Sequence, residues 1–243
     1  MTANADASMT WYKWSHIEWD IVETQVKRLQ IRIAKAIRDR NYRKANSLQW
    51  ILTHSYYAKL LAIKRVTTNR GRNTAGVDRV VWRSSRQKFM AVNLLKRRGY
   101  QPKPLKRVYI PKKNGKLRPL GIPSMVCRAQ QALYLLALEP IAEGIADNHA
   151  YGFRPYRSCA DAIEQCFRTL ASGDRAGWVL EGDIKACFDR INHEWLLNNV
   201  PMDKVMLAKW LKAGFIDKGQ LFPTSDGTPQ VRCRRTMEAV IAA

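Results

Sequence analysis

GWVLEGDIKACFDRI, residues 177–191, is the stretch on which the fold turns. Trp178, Val179 and Leu180 form a short apolar run. Their pattern predicts a buried β-strand over residues 177–184, close to whose end stands the carboxylate of Asp183. A carboxylate at the end of a buried strand costs free energy, so such a group is usually there to bind a cation or to do chemistry. Phe188 and Asp189 follow shortly after. A lone Asp after a strand is as readily a helix cap. A strand, an aromatic and a second Asp at this spacing are a stronger signal for a functional carboxylate than a single Asp.

Working outward, helices are expected over 193–199 and 203–213, with strand and turn over 215–230. Toward the N-terminus, YGFRPYRS (151–158) reads as irregular and is followed by a helix over 159–170. A long helix begins near Met125, and Pro140 is expected to kink or end it. LKRVYI (105–110) and GKLRPLGI (115–122) read as two strands of a hairpin turning at KKNG, where Asn-Gly is the turn signal. A helix over 84–98 is expected to stop at Gly99. Apolar residues at helical spacing predict two packed helices over 17–40 and 42–66. The whole is α+β.

The formal net charge is +22. Residues 1–120 hold 28 Lys and Arg against 6 Asp and Glu, while residues 121–243 hold 14 of each. A basic half joined to a neutral half implies a polyanionic partner for the front of the chain. The hairpin carries Lys112, Lys113, Lys116 and Arg118, several cations of the kind that grip a triphosphate, while Lys106 and Arg107 on its first strand are expected to bind RNA. TTNRGRNTAGVD (67–78) is a connector rich in Gly, Asn and Thr, and its Arg70 and Arg72 suit RNA phosphates.

An anionic membrane is the rival partner. The start, MTANADASMT, is polar, and the longest apolar run (132–138) is far too short to span a bilayer. A cytoplasmic protein without membrane association is expected. Five cysteines without a CxxC pair fit reduced thiols.

VYIPKKNGKLRPLGIPSMVCRAQQAL, HAYGFRPYRSCADAI, VLEGDIKACFDRINHEWLL and GTPQ, in this order, closely resemble successive blocks of bacterial group II intron-encoded reverse transcriptases, also called maturases. SLQWILTHSYYAKLLAIKRVTTNRGRNTAGVD resembles the N-terminal extension of the same family. The resemblance covers residues from about 11 to 230. It implies an RNA-binding extension over 1–80, then reverse-transcriptase fingers with a β-hairpin and an incomplete palm over 81–230. It also implies roles. Asp183 is a Mg²⁺ ligand, and the backbone at Ile184 helps a second metal. Lys112 and Arg118 grip the incoming triphosphate. Phe188 stacks under the deoxyribose, Gln230 contacts the nucleotide, and Phe153 and Arg154 lie near template or nucleotide. RNA, a DNA primer and deoxynucleotides are the implied partners.

The tail after GTPQ, VRCRRTMEAVIAA (231–243), departs from the family, and no Asp-Asp pair occurs in the chain. A truncated chain, inactive alone as a polymerase, is therefore expected. The alternatives are a non-catalytic cofactor that binds intron RNA, or a decayed fragment.

Overall fold

The computed structural model describes residues 14–112, 115–152, 154–171, 173, 177–183 and 190–228. The front of the chain is three helices: α1 (Trp19–Arg38), α2 (Tyr42–His54) and α3 (Tyr56–Thr68). On α1, Val22, Val26, Ile33, Ala36 and Ile37 are buried, the 3.6-residue period expected of one apolar face. One helix is expected over 42–66, but the structure breaks it at Ser55. Thr53 Oγ1 donates to the carbonyls of Gln49 and Trp50, at 3.0 and 3.1 Å, and His54 Nδ1 lies 2.8 Å from the Trp50 carbonyl. Side chains that bond the preceding turn compete with helix continuation. Ser55 then takes an extended ψ of 132° and becomes the first residue before α3.

α4 (Ser85–Ala91) opens on a capping box between Ser84 and Gln87. It is shorter than the helix expected over 84–98. A 3₁₀ turn over Val92–Leu94 tightens the chain as Ala91, Val92 and Leu95 enter the core. Gly99, at φ 71°, serves a later turn and does not cap the helix.

Strands β1 (Leu105–Pro111) and β2 (Leu117–Ile122) form the expected hairpin. Lys112 N–H donates to the Lys116 carbonyl at 2.7 Å, extending the ladder one step beyond the strands. Gly115 supplies the positive φ, 75°, that closes the turn. Asn114 lies outside the described residues.

α5 (Met125–Ile145) is the spine. Ala129, Ala132, Leu133, Leu136, Ala137 and Ile141 join the core built with α1–α4. Leu138 packs instead with α7 (His193–Asn199) and α8 (Lys204–Leu211), while Cys127 and Tyr134 meet Tyr100 and Met206. Each large apolar side chain so buried contributes roughly 1.5–3 kcal/mol. The helix does not end at Pro140. Proline has no N–H for the Leu136 carbonyl four residues back, and Gln30 Nε2 of α1 donates to that carbonyl at 2.8 Å.

α6 (Cys159–Leu170) begins where expected, on a Ser158–Asp161 capping box, and buries none of its residues. Short strands β3 (Phe215–Asp217) and β4 (Gln220–Phe222) complete a sheet of order β2-β1-β3-β4. β1 is antiparallel to β2 and parallel to β3, and β3 is antiparallel to β4. The buried strand expected over 177–184 is corrected: residues 177–183 are not in a strand, and Trp178 and Leu180 are 95% and 97% exposed. A strand needs a ladder partner to satisfy its backbone. The described strands pair only among themselves.

Candidate nucleic-acid interface

The hairpin register places most of its basic side chains on one face, with Arg107 on the other. Ile110 pairs with Arg118, Val108 with Leu120, and Lys106 with Ile122. Directly opposed residues of an antiparallel pair share a face. Lys106 and Arg118 therefore lie on the same face, and Lys112 and Lys116 continue it at the turn. Lys106 and Lys112 are exposed and Arg118 is partly so. Cations gathered on one face of a hairpin suit a polyphosphate.

The opposite face holds the sheet together. Arg107 is expected to bind RNA; its guanidinium lies 3.7 Å from the centre of the Phe215 ring, which stacks on Phe222. Tyr109 Oη donates to Asp217, and that hydrogen bond raises the phenol above its ordinary range. Both contacts fasten β3 to β1.

Arg70 and Arg72 are exposed on the connector after α3. The connector is braced from below by Arg128 of α5, only 6% exposed. Arg128 Nη1 donates to the Gly71 carbonyl at 2.9 Å and Nη2 donates to the Thr74 carbonyl. Gly76 packs so closely on residues 123–124 that a Cβ would fall 2.7 Å from the Ser124 backbone, so only glycine fits. The sequence reading did not single out Arg128. Its signal is the one charged residue in MVCRAQQAL, at the start of a long, mostly apolar helix.

Arg154 is engaged within the chain. It meets Glu143 through Nη2 at 2.9 Å and donates through Nη1 to the carbonyls of Asp147 and Ala150, at 2.6 and 3.0 Å. These bonds tie residues 147–154 to the end of α5. Asp183 is exposed. Lys113, Phe153, Ile184, Phe188, Asp189 and Gln230 lie outside the described residues. Gly227 of the GTPQ segment meets the stretch that follows Asp189: its N–H donates to the Ile191 carbonyl at 2.9 Å, and its carbonyl lies 2.7 Å from His193 Nε2. Among the described residues no group of three or more His, Cys, Asp or Glu is placed to hold a metal ion, so they do not complete a Mg²⁺ site. Nor is any described helix long and apolar enough to cross a membrane.

Comparison with known proteins fits this arrangement. Residues 14–95 match the N-terminal domain of reverse transcriptase, and residues 110–230 match the reverse transcriptase (RNA-dependent DNA polymerase) domain. Protein YkfC of Escherichia coli is 41% identical over 68% of this chain and 47% of its own length. The group II intron-encoded protein LtrA of Lactococcus lactis is 36% identical over 70% of this chain and 29% of its own length. An uncharacterized 91 kDa protein in the cob intron of Schizosaccharomyces pombe is 32% identical over 70% of this chain and 22% of its own length. The chain thus spans less than half the length of these relatives. With an α+β fold, both domain matches and intron-encoded relatives, it belongs to the reverse transcriptase/maturase family of group II introns.

Proposed function

We propose that this chain is the RNA- and nucleotide-gripping part of a group II intron reverse transcriptase, and that by itself it binds RNA without polymerising. The observation that carries this reading is the charge distribution: the whole excess of 22 positive charges falls within residues 1–120. Membership of the family implies RNA as a partner. The exposed Arg70 and Arg72 and the basic hairpin face with Lys106 would meet its phosphates. We assign the protein to the cytoplasm.

The reverse transcriptase domain match supports a second reading, template-directed DNA synthesis by this fold together with the further metal ligands it needs. On this reading Lys112 and Arg118 would hold a deoxynucleoside triphosphate, Phe188 would lie against its sugar, Gln230 and Ile184 would line the nucleotide site, and Phe153 and Arg154 would adjoin the template. A DNA primer would supply the attacking 3′-oxygen. The family generally uses a divalent metal. We assign Mg²⁺, with Asp183 as one of its ligands.

Filter binding of the 243-residue chain to RNA across a salt series tests the first reading. Each neutralised phosphate contributes roughly −0.7 to −0.9 to the slope of log K against log salt. Several contacts therefore give a slope steeper than about −3. Binding no tighter than that of a neutral control protein, or a flat slope, overturns it.

A further inference from the structure

The helical front holds a cleft that neither the hairpin nor the connector accounts for. It lies between α1 and the junction of α2 with α3, is open to solvent, has a volume of about 450 Å³, and has a largely apolar lining that includes Leu29 and Ile31. Arg28 and Arg32 stand one helical turn apart on the α1 wall, with Gln25 and Leu29 beside them. Ser55 and the exposed ring of Tyr57 form the facing wall. No carboxylate lines the cleft. Among the described residues neither arginine belongs to an ion pair. The Ser55 hydroxyl makes no capping bond to its own helix.

Two exposed guanidinium groups without acidic neighbours form a site for anions. An aromatic ring across from them offers a π-face, and stacking on such a ring is the usual means of holding an unpaired base. The volume falls in the range of pockets that enclose small ligands. We propose that this cleft seats one nucleotide of a single-stranded RNA. Its phosphodiester lies on Arg28 and Arg32, and its base packs on Tyr57 and Leu29. Gln25 and Ser55 are the hydrogen-bonding groups within reach of a base edge or a 2′-hydroxyl. A duplex is a poor occupant, because its bases are stacked on one another and present no free face to Tyr57. The assignment rests on the RNA-binding reading above and adds a contact region on the helices, apart from the hairpin and the connector.

Fluorescence anisotropy of a short labelled oligouridine, titrated with the full chain across a salt series, tests it. Arg28→Ala/Arg32→Ala is expected to weaken binding about tenfold and to flatten the salt slope by about 1.4, two contacts at roughly 0.7 each. Tyr57→Ala is expected to weaken binding severalfold with the slope unchanged, since stacking releases no counterion. Arg83→Ala/Arg98→Ala, which removes two exposed cations that do not line the cleft, is the comparison. If the wild-type chain binds but the Arg28/Arg32 variant behaves like the Arg83/Arg98 variant, the cleft assignment falls while the RNA-binding reading stands. If the wild-type chain does not bind at all, both fall. A duplex competitor as effective as a single strand overturns the single-stranded occupant. All three cleft residues are exposed, so circular dichroism of each variant should match wild type.

Discussion

Asp203 shows how much one side chain can join. It is the N-cap of α8, where its Oδ1 accepts from the N–H groups of Val205 and Met206 at 3.0 and 3.1 Å, and it is ion-paired with Arg97. Burial pushes its carboxyl up, but the hydrogen bonds from Arg97 and the two amides outweigh burial and hold it below the ordinary Asp value. Asp203→Ala should cost about 1–3 kcal/mol, the loss of a cap together with a charge-assisted hydrogen bond. The sign of the pH dependence follows from the depressed value. The stabilisation is fully present above the ordinary value of 3.8 and is lost as pH falls through the lower folded value. Urea unfolding should therefore separate wild type from variant at neutral pH and bring them closer below pH 3.8. A gap of equal size at both ends of the range would mean the charge contributes nothing.

Among the elements, α5 carries the most, and it contains Pro140. Gln30→Leu should cost about 1–2 kcal/mol, because the Leu136 carbonyl loses its donor next to Pro140. In a Pro140→Ala background residue 140 regains an N–H for that carbonyl, so the same substitution should cost less. The double-mutant cycle, read by thermal or urea unfolding, should give a coupling of at least about 0.5 kcal/mol. Strict additivity would show that Gln30 does not stand in for the missing amide. That α5 is one long helix was legible in its apolar run, but its survival past Pro140 was not, because the compensating donor is 106 positions away in sequence. The break at Ser55 escaped for the opposite reason: it arises from local side-chain bonds to the backbone, which periodicity does not register. The hairpin, by contrast, was readable nearly to the residue, since turn chemistry and alternation are both local. Asp183 stands out in the sequence as a carboxylate after an apolar run, yet the burial expected of its strand depended on partners that the described sheet does not provide. The cleft was invisible because Arg28 and Arg32 read as a solvated face until Ser55 and Tyr57 are seen opposite them.

At the scale of the molecule, a basic front half adjoins a neutral half that carries Asp183. Binding and catalysis make different demands on such a chain. Binding needs only summed positive charge and a few shaped contacts, and the charge is concentrated in residues 1–120. Nucleotide transfer through two metals needs carboxylates that fix two cations roughly 3.5–4 Å apart against the attacking and leaving oxygens. The sequence has no Asp-Asp pair, and the described residues bring no second carboxylate and ligand together with Asp183. Mg²⁺ gives up its waters reluctantly and demands near-octahedral ligands, so a lone exposed carboxylate holds it weakly. Asp189 lies next to Arg190 and shortly before the Asn192 cap of α7, in a stretch of sequence with ready structural partners. The 243-residue chain alone should therefore give no primer extension on an RNA template above background, with Mg²⁺ or with Mn²⁺, even at protein concentrations where it binds that template. Extension that vanishes in Asp183→Ala would overturn this, and would mean that further metal ligands come from a second copy or from the residues around Asp189. Extension that survives Asp183→Ala would point to a contaminating polymerase, and repeating the assay with Asp183→Ala/Asp189→Ala separates that case from a site built on Asp189.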